Sequence, residues 1–154
     1  MATTDDSGRW SASFAPSRSE LVRTTWTGDA THTAGVSGTA VSVSQRAYLS
    51  TPITPGRVTH RRSFTTYVYL KPRFTSGTSP VRLYFYRLEK QRNRTYKWVL
   101  RKTVAARAAN YSTYTKCSVS ASVPYAGKWK ATAKYAGSAI YAATTSGNRY
   151  FTAR

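Results

Sequence analysis

Acidic residues are almost missing from this sequence. Asp and Glu number 5 among 154 residues, against 24 Lys and Arg, and His occurs twice. The shortage is uneven. Residues 1–45 hold Asp5, Asp6, Glu20 and Asp29 with three arginines, whereas residues 46–154 hold twenty-one Lys and Arg and a single acid, Glu89. General acid–base catalysis draws on titratable groups held in contrasting environments, and the longer stretch has one carboxylate in all. No enzyme is expected. His32 reads as a loop or packing residue, and His60, beside Arg61 and Arg62, as a surface residue.

Other absences narrow the chemistry further. Cys117 is the only cysteine, so no disulfide forms within the chain and a zinc site built on several thiolates is excluded. It alternates with Val119, Ala121 and Val123 and reads as a small buried hydrophobe. There is no glycine-rich phosphate loop and no metal-spaced His, Cys or Asp cluster. Asp29 alone falls far short of the six to eight oxygens a calcium ion takes. No metal and no cofactor are expected. No run approaches the ~20 apolar residues of a membrane span. The start, MATTDDSG, lacks the basic and apolar segments of a signal peptide. The chain is therefore expected to be soluble, and either to stay in the cell or to have its export signal upstream of a truncated start.

What is present points to strands. Thr, Ser, Tyr and Val are abundant, Gly and Pro recur between short apolar runs, and no stretch keeps a helical period, so an all-β chain is expected. The formal charge of +19 attracts polyanions: nucleic acid, sulfated or uronic glycans, wall teichoic acids or anionic membranes. The charge by itself does not choose among them.

The most informative stretch runs from Phe64 to Lys90. Phe64, Thr66, Val68 and Leu70 alternate with Thr65, Tyr67, Tyr69 and Lys71, and Val81, Leu83 and Phe85 alternate with Arg82, Tyr84 and Tyr86. Side chains change faces at every strand residue, so each run has an aliphatic face and a tyrosine-plus-base face. The two runs read as a hairpin whose connection holds Pro72, Gly77 and Pro80. Paired, they would bring Tyr67, Tyr69, Lys71, Arg82, Tyr84 and Tyr86 into one ladder, where aromatic rings stack on sugars or bases and the cations meet phosphate, sulfate or carboxylate. Cross-strand packing of the tyrosines is the competing explanation. A second basic group, with Arg92, Arg94, Lys97 and Arg101, lies around the loop that follows and is read as a polyanion contact.

Elsewhere the sequence predicts strands over 8–17, 19–29, 38–44, 46–50, 96–104, 114–123 and 127–137, and a closing strand in 148–154. Residues 57–63 read as extended. Residues 105–114 fit either a helical turn or a loop. In 127–137, Trp129, Ala131, Ala133 and Tyr135 face in, and Lys128, Lys130, Thr132 and Lys134 face out.

The two ends of the chain resemble each other. SASFAP (11–16) matches VSASVP (119–124), and WTGDATHTAGVSGTAVSV (26–43) matches YAGSAIYAATTSGNRYFT (135–152), with Trp26 on Tyr135, Gly28 on Gly137 and Gly38 on Gly147. The spacing between the two matches differs by one residue, as a loop insertion would cause. Residues 1–44 thus read as the last three strands of one repeat and 45–154 as a complete repeat of about 110 residues, the size of an immunoglobulin-like sandwich.

The run WTGDATH (26–32) resembles the end of bacterial immunoglobulin-like repeats found in tandem on secreted and surface proteins. The later unit is similar to a basic, tyrosine-rich version of that repeat, through LSTPITP (49–55), FTTYVYLKPRFTSGTSPVRLYFYR (64–87), ANYSTYTK (109–116) and AGKW (126–129). The resemblance implies an antiparallel β-sandwich module of extracellular or cell-surface proteins that spaces, displays or attaches other domains beside neighbouring repeats. It implies no catalytic residue. The expected function is a spacer or adhesive unit whose basic part associates with anionic wall polymer or glycan. The alternative is a nucleic-acid-binding β-domain that uses the basic, aromatic face.

Overall fold

The computed structural model describes residues 5–7 and 9–154, and among them every regular element is a strand. The chain divides into two compact units. Residues 1–45 with 139–141 form one, and residues 46–138 with 142–154 form the other.

The first unit is two small ribbons. β1 (Glu20–Val22) pairs antiparallel with β4 (Val41–Val43), and β2 (Thr25–Trp26) with β3 (Gly35–Val36). Ser19 N donates to Ile140 O at 2.8 Å, which ties residues 139–141 into this unit. The loop between β2 and β3 is organised by Asp29. Its Oδ1 accepts from the backbone N of Thr31 and of His32, each at 2.8 Å. Gly28 opens that loop at φ 81, where an added Cβ would lie 2.9 Å from Ala34 N and His32 O.

Two expectations fail here. Apart from a bridge at Trp10, no strand forms over 9–17, and Gly8 lies outside the described residues. The run 19–29 is broken at Arg23 and Thr24 into β1 and β2. Isolated two-stranded ribbons are marginal because they have no opposing layer to bury their apolar face. Accordingly Trp10, Phe14 and Leu21 are all exposed.

The second unit holds the core. Its strands are β5 (Tyr48–Leu49), β6 (Arg57–Val58), β7 (Phe64–Lys71), β8 (Val81–Lys90), β9 (Tyr96–Asn110), β10 (Thr115–Ala121), β11 (Gly127–Tyr135) and β12 (Thr144–Ala153). They hydrogen-bond in the order β5-β7-β10-β9-β8-β11-β12-β6, antiparallel throughout except β12–β6. The sheet curls on itself. Phe64 of β7 meets Phe85 of β8 at 6.1 Å and Phe151 of β12 at 5.7 Å between ring centroids, although these strands lie far apart in the hydrogen-bonded order. β9 joins the two halves: Tyr96–Ala106 runs along β8, and Arg107–Asn110 along β10.

Period-two patterning decides what fills the space between the halves. Val68, Leu70, Val81, Leu83, Phe85, Cys117, Trp129, Ala131 and Ala133 are all fully buried. A large apolar side chain so buried contributes about 1.5–3 kcal/mol. Two polar groups of the inner face are paired, while the buried Tyr135 hydroxyl has no hydrogen-bond partner among the described residues. Thr66 Oγ1 lies 2.6 Å from Thr54 Oγ1, and Trp129 Nε1 donates to Tyr125 O at 3.0 Å.

Residues 105–110, left open between a helical turn and a loop, continue β9. Ala106 and Ala108 are buried, and Ala108 exchanges backbone hydrogen bonds with Gly77 and Thr78, both 2.8 Å. Tertiary pairing here overrides alanine's helical preference.

The predicted hairpin of β7 and β8 is not formed. β7 pairs with β5 and β10, and β8 pairs with β9 and β11. The two strands lie in opposite halves of the curled sheet. Residues 72–80 cross between the halves, and they are too long for the two- to five-residue loop of a tight hairpin.

Candidate functional site

Because β7 and β8 are separated, the ten residues singled out from the sequence do not converge. They fall into three groups.

Tyr67, Tyr69 and Lys71 lie on the outer face of the β5-β7-β10-β9 half. There the two tyrosines meet residues from β10 and from the turn before it, while Lys71 pairs with Tyr48 of β5. Tyr67 and Tyr69 are 5.6 Å apart edge-on, Tyr69 and Tyr114 4.9 Å, and Tyr111 stacks on Tyr114 at 5.4 Å. The ammonium of Lys116 sits 4.2 Å above the Tyr67 ring. Desolvation within this cluster, followed by the proximity of Tyr67, raises the Tyr69 hydroxyl above the usual phenol range. The rings mainly pack on one another and on Lys116.

Arg82, Tyr84 and Tyr86 lie on the outer face of the other half. The register brings them a different set of neighbours. Lys130 is opposite Tyr86, and Lys134 opposite Arg82, on β11. Lys130 in turn faces Tyr150 on β12. On the β9 side a bulge intervenes: Phe85 pairs with Lys102 but Tyr86 pairs with Leu100, leaving Arg101 extra. A bulge shifts the alternation by one residue. Trp98 and Leu100 consequently share the outer face with Tyr86, while Val104 and Ala106 beyond the bulge share the inner face with Leu83 and Val81.

The rings and cations on this face are interleaved. Lys130 Nζ lies 5.1 Å from the Tyr86 ring and 5.3 Å from the Trp98 ring, and Lys134 Nζ lies 5.1 Å from Tyr84. Trp98 and Tyr150 are 5.6 Å apart with a 51° tilt. Outward parity also places Lys90 and Lys128 here, and no acid shares the face. Ammonium groups over aromatic rings are attracted by the ring quadrupole, which holds their positions.

Arg92, Arg94, Lys97 and Arg101 form no single patch. Arg92 and Arg94 are exposed in the turn between β8 and β9, where Arg94 takes φ 64. Lys97 pairs with Glu89 in the ladder, on the opposite side of the strand from Tyr86. Arg101 is committed: its Nε donates to Glu89 Oε1 at 2.6 Å and its second nitrogen to Oε2. The hydrogen bond from Arg101 holds the Glu89 carboxyl below its ordinary range. Of the four residues read as a polyanion contact, Arg101 is thus already paired with a carboxylate.

Sequence reasoning passed over Trp98, Tyr150 and the β11 lysines as site residues. The outward alternation of Lys128, Lys130 and Lys134 was legible. Their adjacency to Tyr84, Tyr86 and Tyr150 was not, because it depends on which strands pair.

The two histidines lie elsewhere. His32 Nδ1 is 2.9 Å from Asp29 Oδ1 in the exposed loop of the first unit, and His60 Nδ1 is 2.7 Å from Arg154 O. Among the described residues no helix is long and apolar enough to cross a membrane. Compared with known proteins, the chain matches no family model and no curated protein.

Proposed function

We propose that this chain is a non-catalytic, immunoglobulin-like spacer and adhesive module of a bacterial extracellular or cell-surface protein. Its second unit associates with an anionic wall polymer or acidic glycan. The observation that carries the binding part is the charge of the second unit. Twenty-one Lys and Arg face one acid, and that acid is already clasped by Arg101. Apart from Arg87, which approaches the same carboxylate at 3.8 Å, the remaining Lys and Arg have no side-chain carboxylate partner in their own unit, and the field they create draws polyanions. The same clasp ties up the one side-chain carboxylate the second unit could offer as a general base.

The strand order supports the sandwich. If the seven strands of an immunoglobulin-like domain are lettered A to G, the A-B-E-D sheet corresponds to β5-β7-β10-β9 and the C-F-G sheet to β8-β11-β12. The first strand is split between the halves, since residues 48–53 run along β7 and β6 runs parallel to β12.

Register supports the repeat. Trp26 pairs with Gly35 and Thr25 with Val36, while the aligned residues Tyr135 and Lys134 pair with Thr144 and Thr145. The aligned glycines Gly28 and Gly137 both take positive φ, 81 and 91. With the one-residue shift between the matched runs, the pairs Glu20↔Val43, Leu21↔Ser42 and Val22↔Val41 fall on Lys128↔Thr152, Trp129↔Phe151 and Lys130↔Tyr150. The first unit is then the final hairpin of a preceding repeat.

The test is cosedimentation of the whole chain with Gram-positive cell walls, before and after removal of their teichoic acid, across a salt series. Binding that depends on the teichoic acid and weakens steeply with salt is expected. No sedimentation at low salt, together with no retention on heparin, would reduce the module to a spacer. Tighter binding to single-stranded DNA than to any wall polymer would favour a nucleic-acid-binding domain instead.

A further inference from the structure

We propose that the outer face formed by β8, β9, β11 and β12 is the site where the second unit holds a linear acidic polysaccharide. The chain of sugars lies along β11, with its carboxylate or sulfate groups on Lys128, Lys130 and Lys134 and its pyranose rings against Trp98 and Tyr150. This rests on the polyanion-binding reading above and narrows it to one face and one polymer chemistry.

Four features of the face converge. Lys128 and Lys130 are two residues apart on one strand, hence roughly 6.5–7 Å apart along it, and Lys134 continues the row beyond Thr132. Lys130 and Lys134 are held over the rings of Tyr86, Trp98 and Tyr84 at 5.1–5.3 Å. An ammonium so placed loses less freedom when it meets an anion than a lysine loose in solvent. No carboxylate on the face competes for these cations. Beside the row stands apolar ring surface that the fold leaves open, with Tyr150 57% exposed. Alternating cation and ring suits a ligand that alternates charge with a C–H-rich ring face.

Ring geometry favours a sugar over a nucleobase. Successive bases stack on flat, open aromatic platforms. Trp98 and Tyr150 are tilted by 51° to each other, and Lys130 already lies against Trp98 and Tyr86. Flat bases cannot lie on both rings in register, whereas a pyranose presents C–H groups at its faces and edges and follows a kinked surface. The tyrosine cluster of the opposite half is a poorer candidate, since Tyr67, Tyr69 and Tyr114 pack on each other and none of the three is as open as Tyr150.

The experiment titrates the full chain with oligogalacturonate of uniform length, by calorimetry, at several salt concentrations. The triple variant K128Q/K130Q/K134Q is expected to lose at least about tenfold in affinity at low salt and to flatten the salt slope by about two to three. The double variant W98A/Y150A is expected to lose about tenfold with the slope unchanged, because it removes stacking and no charge. The control triple K71Q/R92Q/R94Q removes the same charge elsewhere and is expected to lose less than about threefold. Thermal melts confirm that each variant is folded. Should W98A/Y150A fail to fold, Y150A alone carries the stacking test.

Equal losses in the two triple variants would overturn the proposed face and leave a diffuse electrostatic attraction. Unchanged affinity in the ring variants would overturn the stacking role. Tighter binding of oligothymidylate that depends on Trp98 and Tyr150 would overturn the sugar in favour of single-stranded nucleic acid. If the wild-type chain binds neither oligogalacturonate, teichoic acid nor heparin at low salt, the underlying polyanion reading itself falls.

Discussion

Arg101 and Glu89 form a two-pronged ion pair across the β8–β9 ladder, with Nε 2.6 Å from Oε1, and Arg87 approaches the same carboxylate at 3.8 Å. Arg101 reaches it from the extra position of the bulge. The bulge therefore neutralises part of the basic cluster and also turns Trp98 outward.

Replacing Glu89 by Gln frees Arg101 and raises the net charge by one. Polyanion affinity should rise at low salt, and the slope of log K against log salt should steepen by about one. The substitution also isolates a pH effect. The folded-state pKa of Glu89 is depressed, so its stabilising pair is complete above the ordinary Glu value of about 4.3. That contribution is lost as pH falls through the lower folded value. The wild-type advantage over E89Q in urea unfolding should therefore shrink only in acid. An advantage that persisted unchanged at pH 2 would contradict the ion pair as its source.

Phe85 is fully buried and touches both Phe64 and Phe151, so one ring ties the two halves of the curled sheet. Phe85→Ala should cost ~3–5 kcal/mol in chemical denaturation. A loss below ~1 kcal/mol would mean that the halves do not close over this ring.

Thr54 and Thr66 share a buried hydroxyl contact of 2.6 Å. Thr66→Val orphans the Thr54 hydroxyl and should cost ~1–3 kcal/mol. Removing both hydroxyls in T54V/T66V should recover part of that loss, giving a coupling energy in a double-mutant cycle. Strict additivity of the two single losses would argue against the contact.

Burial pushes the Cys117 thiol up to about 11. In the folded chain it should resist thiol reagents at pH 8 and react only on unfolding, as followed by Ellman titration with and without denaturant. The unfolded thiol ionises near ~8.5, so this group makes stability fall as pH rises from there towards 11. Rapid native labelling would show that the core around Cys117 opens.

Much of this was readable in advance. The alternation in 64–71 and 81–86 identified the buried and outward residues of both strands, and the alternation in 127–135 placed Trp129 in and the lysines out. Such patterns are local, since the pleat turns each successive side chain to the opposite face. The expected tyrosine ladder between β7 and β8 was wrong for a nonlocal reason. Strand neighbours are chosen by which pairing closes the core, and the Pro-bounded connection 72–80 carries β8 to the far half.

The boundary between the two kinds of knowledge is clearest at Tyr86 and Lys130. Sequence alone determined that the chain is built of strands, that almost all its charge is basic beyond residue 45, and that both these side chains face outward. Only the tertiary structure decided that they face outward together, with Trp98 and Tyr150 beside them. Side-chain facing depends on a residue's own strand, but adjacency across a sheet depends on pairing register, and here one bulged residue at Arg101 sets which face Trp98 joins.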